Sequence, residues 1–241
     1  SDLRECKQTF FGVGCRSKVH ITIQRFACKE MILDVHCHTV EDFKPDSITN
    51  ADLYSFNPRE GQYYSIGLHP WDINRIDADE AMTIVARYAS HPSVVAIGET
   101  GIDLPKGGAL HKQIDIFMQH VNISERLGKP LIIHCVKAHD IISEIRKRIS
   151  PKMDWIIHGF RNKPSIAKIL LDAGCYISYG ERFNPESLSI TPDDKILAET
   201  DTSDCSISQI IDKISVVKGQ DIVKSIEKNT DLLFKTAELL H

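Results

Sequence analysis

A chain of 241 residues, 42% hydrophobic and 26% charged, is long enough for one sizeable α/β domain and has the composition of an ordinary globular protein. Its net charge of -4 argues against a broad surface that coats nucleic acid, while leaving room for a local basic patch. No window approaches the roughly 20 uninterrupted apolar residues of a membrane span. The seven cysteines are scattered and lack CxxC spacing, so neither a disulfide framework nor a cysteine zinc site is indicated.

Residues 1–30 read differently from the rest, with three of the seven cysteines, a local excess of Lys and Arg, and no sustained periodicity. They lack the apolar core of a signal peptide. The expectation is an extension outside the domain, or translation begun upstream of a natural start at Met31, with the domain running over 31–241. From residue 31 short β-rich apolar runs alternate with segments of helical period, as in parallel strands joined by crossover helices. The runs lie at 31–36, weakly at 47–55, then at 62–67, 93–98, 130–135, 154–158, 174–179 and 195–200. Helices are predicted over 77–90, capped near Asp77, and over 109–128, ended by Gly128-Lys129-Pro130. Others are predicted over 138–149, over 164–173 with Pro164 in the first turn, and at about 206–218 and 220–239. Eight such strands predict a (β/α)8 TIM barrel. It is distorted, because residues 39–46 between the first two strands are too few for a helix. Cys37, Cys135 and Cys175, inside the runs, read as small buried thiols in a reducing cytoplasm.

The stretch Asp34-Val-His-Cys-His38 ends the first run, and a strand's period of two puts His36 and His38 on one face. Active sites of such barrels sit at the carboxyl ends of the strands. Reading only those ends gives His36, His38, His69, Glu99, His134, His158 and Asp201. Five imidazoles and two carboxylates gathered in one pocket would be hard to keep folded without a cation. Imidazole and carboxylate without thiolate suit zinc, manganese, iron or nickel, with magnesium where oxygen and water dominate. More donors than one tetrahedral ion can use imply two divalent ions, about 3.5–4 Å apart, sharing a carboxylate and a water. The reaction class is then metal-assisted hydrolysis. The remaining histidines, His20, His91, His111, His120, His139 and His241, read as surface or packing residues.

These residues resemble the TatD family of metal-dependent hydrolases, many of them deoxyribonucleases, within the amidohydrolase superfamily. The likeness runs from Met31 to about Phe234. It comprises Asp34-Val-His-Cys-His38, Gly67-Leu-His-Pro70, Ala96-Ile-Gly-Glu-Thr-Gly-Ile-Asp103, Gln113 with Phe117, Ile133-His134, His158-Gly-Phe160, Ile177-Ser178, Glu199-Thr-Asp201, Asn229 and Phe234. The resemblance implies that His36, His38 and Asp201 hold one metal, that Glu99 bridges, and that His134 and His158 hold the other. It further implies that Asp201 orients the attacking hydroxide or takes up its proton, that His69 lines the substrate pocket, and that Asp34 fixes a neighbouring group. Lys137 follows His134 by three residues and is not read as a carboxylated bridging lysine.

Two departures from the family pattern stand out. Typical members follow the final Asp with Pro and a long loop carrying Arg-Gly, whereas Asp201 is followed by Thr-Ser-Asp-Cys-Ser and then a helix. The Arg that commonly follows the fifth-strand His is replaced by Cys135-Val136. Arg161, Lys163 and Arg182 are the candidate replacements on the same rim, where a guanidinium would grip a phosphate in bidentate fashion. The expected function is hydrolysis of a phosphodiester, at a DNA end, with two divalent ions of zinc, magnesium or manganese and with no membrane partner. The alternatives are hydrolysis of a small ester, amide or phosphoester on the same barrel, and a non-catalytic binding protein that keeps metal for stability.

Overall fold

The computed structural model describes residues 31–38 and 44–235. The expected extension over 1–30, part of the first connection and the end of the last predicted helix lie outside the described residues. The strands are β1 Asp34–Cys37, β2 Ser47–Asn50, β3 Tyr63–Ile66, β4 Val94–Asp103, β5 Leu131–Val136, β6 Trp155–Ile157, β7 Tyr176–Tyr179 and β8 Ile196–Ala198. The helices are α1 Ala78–Tyr88, α2 Leu110–Leu127, α3 His139–Ile149, α4 Pro164–Asp172, α5 Pro185–Ile190, α6 Ile207–Lys218 and α7 Val223–Lys235. The strands form a closed barrel in chain order. All are parallel, and β1 meets β8 where Asp34 pairs with Ala198. The chain is a (β/α)8 barrel, with no α-helix in the connection between β2 and β3.

Each strand lies in or largely overlaps one predicted run. The exception in length is β4, whose last residues keep pairing with β5 as far as Asp103 opposite Val136. Helix α5 was not anticipated: its six residues are too few to show a period, although Asn184 caps it and Pro185 opens it. The predicted punctuation is in place elsewhere. Asp77 accepts from the amides of Asp79 and Glu80, Pro164 starts α4, and Gly128 closes α2 in a left-handed conformation.

The core divides into two layers by strand parity. Leu131, Ile133, Ile157, Ile177 and Ala198 belong to a large cluster with the apolar faces of the helices. Ile48, Ile132, Ile156 and Leu197 belong to a smaller one, with Val35 and, from α7, Leu233 and Phe234. That second cluster includes Tyr63 and Tyr176 at strand starts, so α7 stoppers the amino end of the barrel. Asn229 fixes α7 there, its amide donating to the carbonyls of Asp193 and Ile196. Because side chains alternate along a strand, continuing the inner rows by two residues leads from Ile48 to Asn50, from Ile132 to His134, from Ile156 to His158 and from Leu197 to Glu199. The apolar interior thus opens upward into a polar floor.

One irregularity aims the central carboxylate. Ile97 pairs with Leu131 but Thr100 with Ile133, so β4 carries one extra residue at Gly98-Glu99, a β-bulge. Gly98 has φ +149°, and a Cβ on it would overlap the carbonyl oxygen of Ile132. Only glycine fits this turn of the strand.

Candidate active site

Glu99, 4% exposed, stands at the centre. Its Oε1 lies 2.7 Å from His158 Nε2, 2.8 Å from His134 Nδ1 and 3.1 Å from His69 Nε2. Its Oε2 lies 3.4 Å from His36 Nε2 and 3.6 Å from His38 Nε2, and those two nitrogens are 3.1 Å apart. Asp201 Oδ1 is 3.5 Å from His38 Nε2. All seven predicted strand-end residues therefore meet in one cleft of about 440 Å³ or, for His36, directly beneath it.

The backbone makes this convergence obligatory at the seam of the barrel. The Asp201 amide donates to the His36 carbonyl at 2.9 Å, and the His38 amide donates to the Asp201 carbonyl at 3.3 Å. Asp201 itself takes a left-handed conformation, φ +52°, which aspartate tolerates better than most residues. Asp34 accepts from the Thr200 amide and hydroxyl and from the His36 amide, so it ties β8 to β1. Burial pushes Asp34 up to about 7 against these hydrogen bonds.

The geometry suits cations. A carboxylate oxygen offers about two lone-pair positions, yet three ring nitrogens crowd Glu99 Oε1 and two more face Oε2. Two groups of donor atoms fall close enough to share an ion: His36, His38 and Glu99, and His69, Glu99 and His134. Glu99 belongs to both, as a bridging ligand must. The second group brings His69, expected only to line the substrate pocket, in among the donors, while His158 approaches the same oxygen from beneath.

Charge is partitioned accordingly. Burial opposes ionisation of Glu99, but His158 and the hydrogen bonds from the surrounding rings hold its carboxyl well below the usual range. Burial likewise opposes charge on His158, and Glu99 with Glu199 overcomes it, raising that imidazole well above the ordinary histidine value. His36, fully buried beside His158, is lowered by burial first and by that neighbour second. His38 is raised, chiefly by its contact with Glu99.

Four further residues hold the donors. Asp103 Oδ2 lies 3.0 Å from His134 Nε2 and accepts from the Trp71 indole at 2.6 Å. Burial would raise Asp103, and these partners keep it low. Glu199, fully buried, accepts from the Gly159 amide at 2.6 Å and stands 3.4 Å from His158 Nδ1. Asn50 accepts from the Glu99 amide at 3.0 Å and from Ser65. Sequence reasoning gave Asn50, Asp103, Trp71 and Glu199 no role in orienting ligands. The signal for Asn50 and Glu199 was their place two residues past an inward Ile48 and Leu197.

The proposed basic rim is present in part. Arg161, 54% exposed, puts Nη2 3.8 Å from Asp201 Oδ2. Arg182 lines a side cleft of about 140 Å³ with Arg161, Glu181 and Asp201. The short link after Asp201 is pinned down by Glu181, which accepts from Ser203 at 2.8 Å and pairs with Lys213 at 3.6 Å. Of the thiols expected to be buried, Cys37 and Cys175 are so, whereas Cys135 is partly exposed because β5 runs on toward the rim there. No helix among the described residues is long and apolar enough to cross a membrane.

Known proteins resemble this chain in sequence and in fold. In Mycobacterium tuberculosis, the "uncharacterized metal-dependent hydrolase TatD" is 34% identical over 155 residues, 58% of this chain and 57% of that protein, so the chain spans little more than half its length. A Pantoea vagans protein named 3'-5' ssDNA/RNA exonuclease TatD is 25% identical over 201 residues, 71% of this chain and 77% of its own. Among solved structures, the Escherichia coli TatD homologue YJJV superposes with a TM-score of 0.71 at 20% identity, covering 85% of this chain and 98% of that one. The sequence profile described as TatD related DNase matches residues 48–235, more than half of the chain, and the chain accordingly belongs to the TatD family.

Proposed function

We propose that the protein is a divalent-metal-dependent hydrolase that cleaves phosphodiesters of nucleic acid with an activated water. The single observation that carries this reading is the buried Glu99 carboxylate, contacted by five imidazoles on its two oxygens with Asp201 beside them. In this reading His36, His38 and Asp201 would hold one ion, His134 and His158, with His69 close by, would hold the other, and Glu99 would serve both. Zinc, manganese and magnesium all suit such donors. Such ions would supply Lewis acidity, lowering the pKa of an attacking water and offsetting charge on a phosphoryl group. Asp201, partly exposed and facing the cleft, would orient the attacking water and take up its proton. Arg161, within reach of Asp201, meets the non-bridging phosphate oxygens. The family's description as DNases and the Pantoea relative's name support nucleic acid as the substrate class.

Metal analysis of the purified protein, paired with hydrolysis of short single-stranded DNA under added magnesium, manganese or zinc, tests the proposal. Glu99→Gln and His134→Ala are expected to abolish hydrolysis while circular dichroism still reports a folded barrel. Undiminished cleavage in either variant would refute the assignment of the site.

A second reading rests on the low rim left by the short link after Asp201. A cleft of about 440 Å³ fits a small ligand, so a panel of small esters, amides and phosphomonoesters belongs beside DNA in the same assay. Turnover confined to that panel would favour it.

A further inference from the structure

Trp71 is a large aromatic that the fold leaves 39% exposed, on the turn that follows β3. It lines the same cleft as His38, His69, His134 and Asp201. Its orientation is set rather than free. The indole nitrogen donates to Asp103 at 2.6 Å, and the ring stands edge-on to His69 and His134, with centroids 4.7 Å and 5.7 Å away. Over the ring lies the ammonium of Lys106, 4.2 Å from its centre, on an exposed side chain. Arg75, exposed and paired with Asp72 at 3.4 Å, lies on the same wall.

We propose that the Trp71 indole is a stacking platform for a nucleobase. On this view it seats the base of the nucleotide whose phosphate lies at the Glu99 cluster, and Lys106 moves from the ring toward the phosphate chain. The inference deepens the nuclease reading and rests on it. An exposed cation–π contact is weak, and a base offers a larger flat surface to the same ring. A plane fixed in advance, in edge contact with the His69 and His134 imidazoles, costs little ordering when a base settles on it. Stacking also accepts any base, so this wall selects nucleotides over sugar phosphates without reading sequence.

The chain has two tryptophans, and the other, Trp155, is fully buried, so ligand-sensitive emission belongs to Trp71. Titrating metal-loaded protein with thymidine monophosphate should quench that emission and show binding about ten-fold tighter than deoxyribose phosphate, which differs only by the base. By calorimetry Trp71→Leu should erase that preference. Trp71→Phe, which keeps the plane and loses the bond to Asp103, should retain most of it. Equal binding of the two ligands, or a preference that survives in Trp71→Leu, overturns the platform. If the base preference is found but no phosphodiester is cleaved, the platform stands and the nuclease reading falls. If DNA is cleaved with no base preference, the reverse holds.

Discussion

Asp103 explains why His134 turns Nδ1 toward Glu99. Its carboxylate engages Nε2 at 3.0 Å and is itself held by the Trp71 indole and the Lys106 amide, so one edge of the ring is occupied and the other is fixed on the pocket. Such outer partners set the tautomer and tilt of a ligating imidazole. Asp103→Asn keeps the shape but loses the charge, and is expected to weaken metal affinity and lower kcat by about 10–100-fold. Substrate KM should change little. Titration with manganese, alongside steady-state kinetics, measures both, and an unchanged metal affinity would show that Asp103 is merely structural. Arg161 and Asp201 illustrate a different balance: their 3.8 Å approach is half in solvent, where a lone ion pair contributes little, so Arg161 remains available to an anionic substrate.

At the scale of elements, α2 is anchored to the end of β3 through a fully buried histidine. His120 accepts from the Leu68 amide at 2.9 Å and approaches the Ile116 carbonyl at 2.8 Å. Burial lowers it to about 4, so the folded protein keeps it neutral where the unfolded chain would already be protonated. Stability from this group is fully present above about pH 6.5, the unfolded value. It is lost as pH falls toward 4, by on the order of 3 kcal/mol in total. Urea unfolding from pH 7 to pH 4.5 should therefore decline less steeply in His120→Gln than in the parent, and parallel declines would disprove the assignment. The elements were largely legible in the sequence, because parallel strands buried on both faces read as continuous apolar runs and the helix ends carried Asp77, Gly128 and Pro164. The β4 bulge was not, since the pairing of Gly98-Glu99 depends on β5, more than thirty residues further along. The seven strand-end donors could be read because each closes an apolar run. Asp103 could not, for what engages it arrives from a turn after β3 and from β5.

For the whole molecule, the candidate donors link six of the strands, so an ion held among them would act as a rivet across the barrel. A ligand present at a hundred times its dissociation constant stabilises the fold by about 2.7 kcal/mol, which in a domain of this size raises Tm by about 5–10 °C. Thermal melts of metal-loaded protein should fall by that amount on adding a chelator. Glu99→Gln should show a much smaller drop, and identical drops in both would place the stabilising ion elsewhere. The seam between β1 and β8 has a different bearing, on the order of assembly. Asp34 and Thr200 bond directly although 166 positions separate them along the chain, and the His36–Asp201 backbone pair closes beside them. During synthesis the first two imidazoles emerge with the first strand and must wait for the eighth before their last acidic companion arrives. A nascent chain therefore lacks a finished donor cluster, and under the proposed reading hydrolysis would have to wait for the last strand to close the ring.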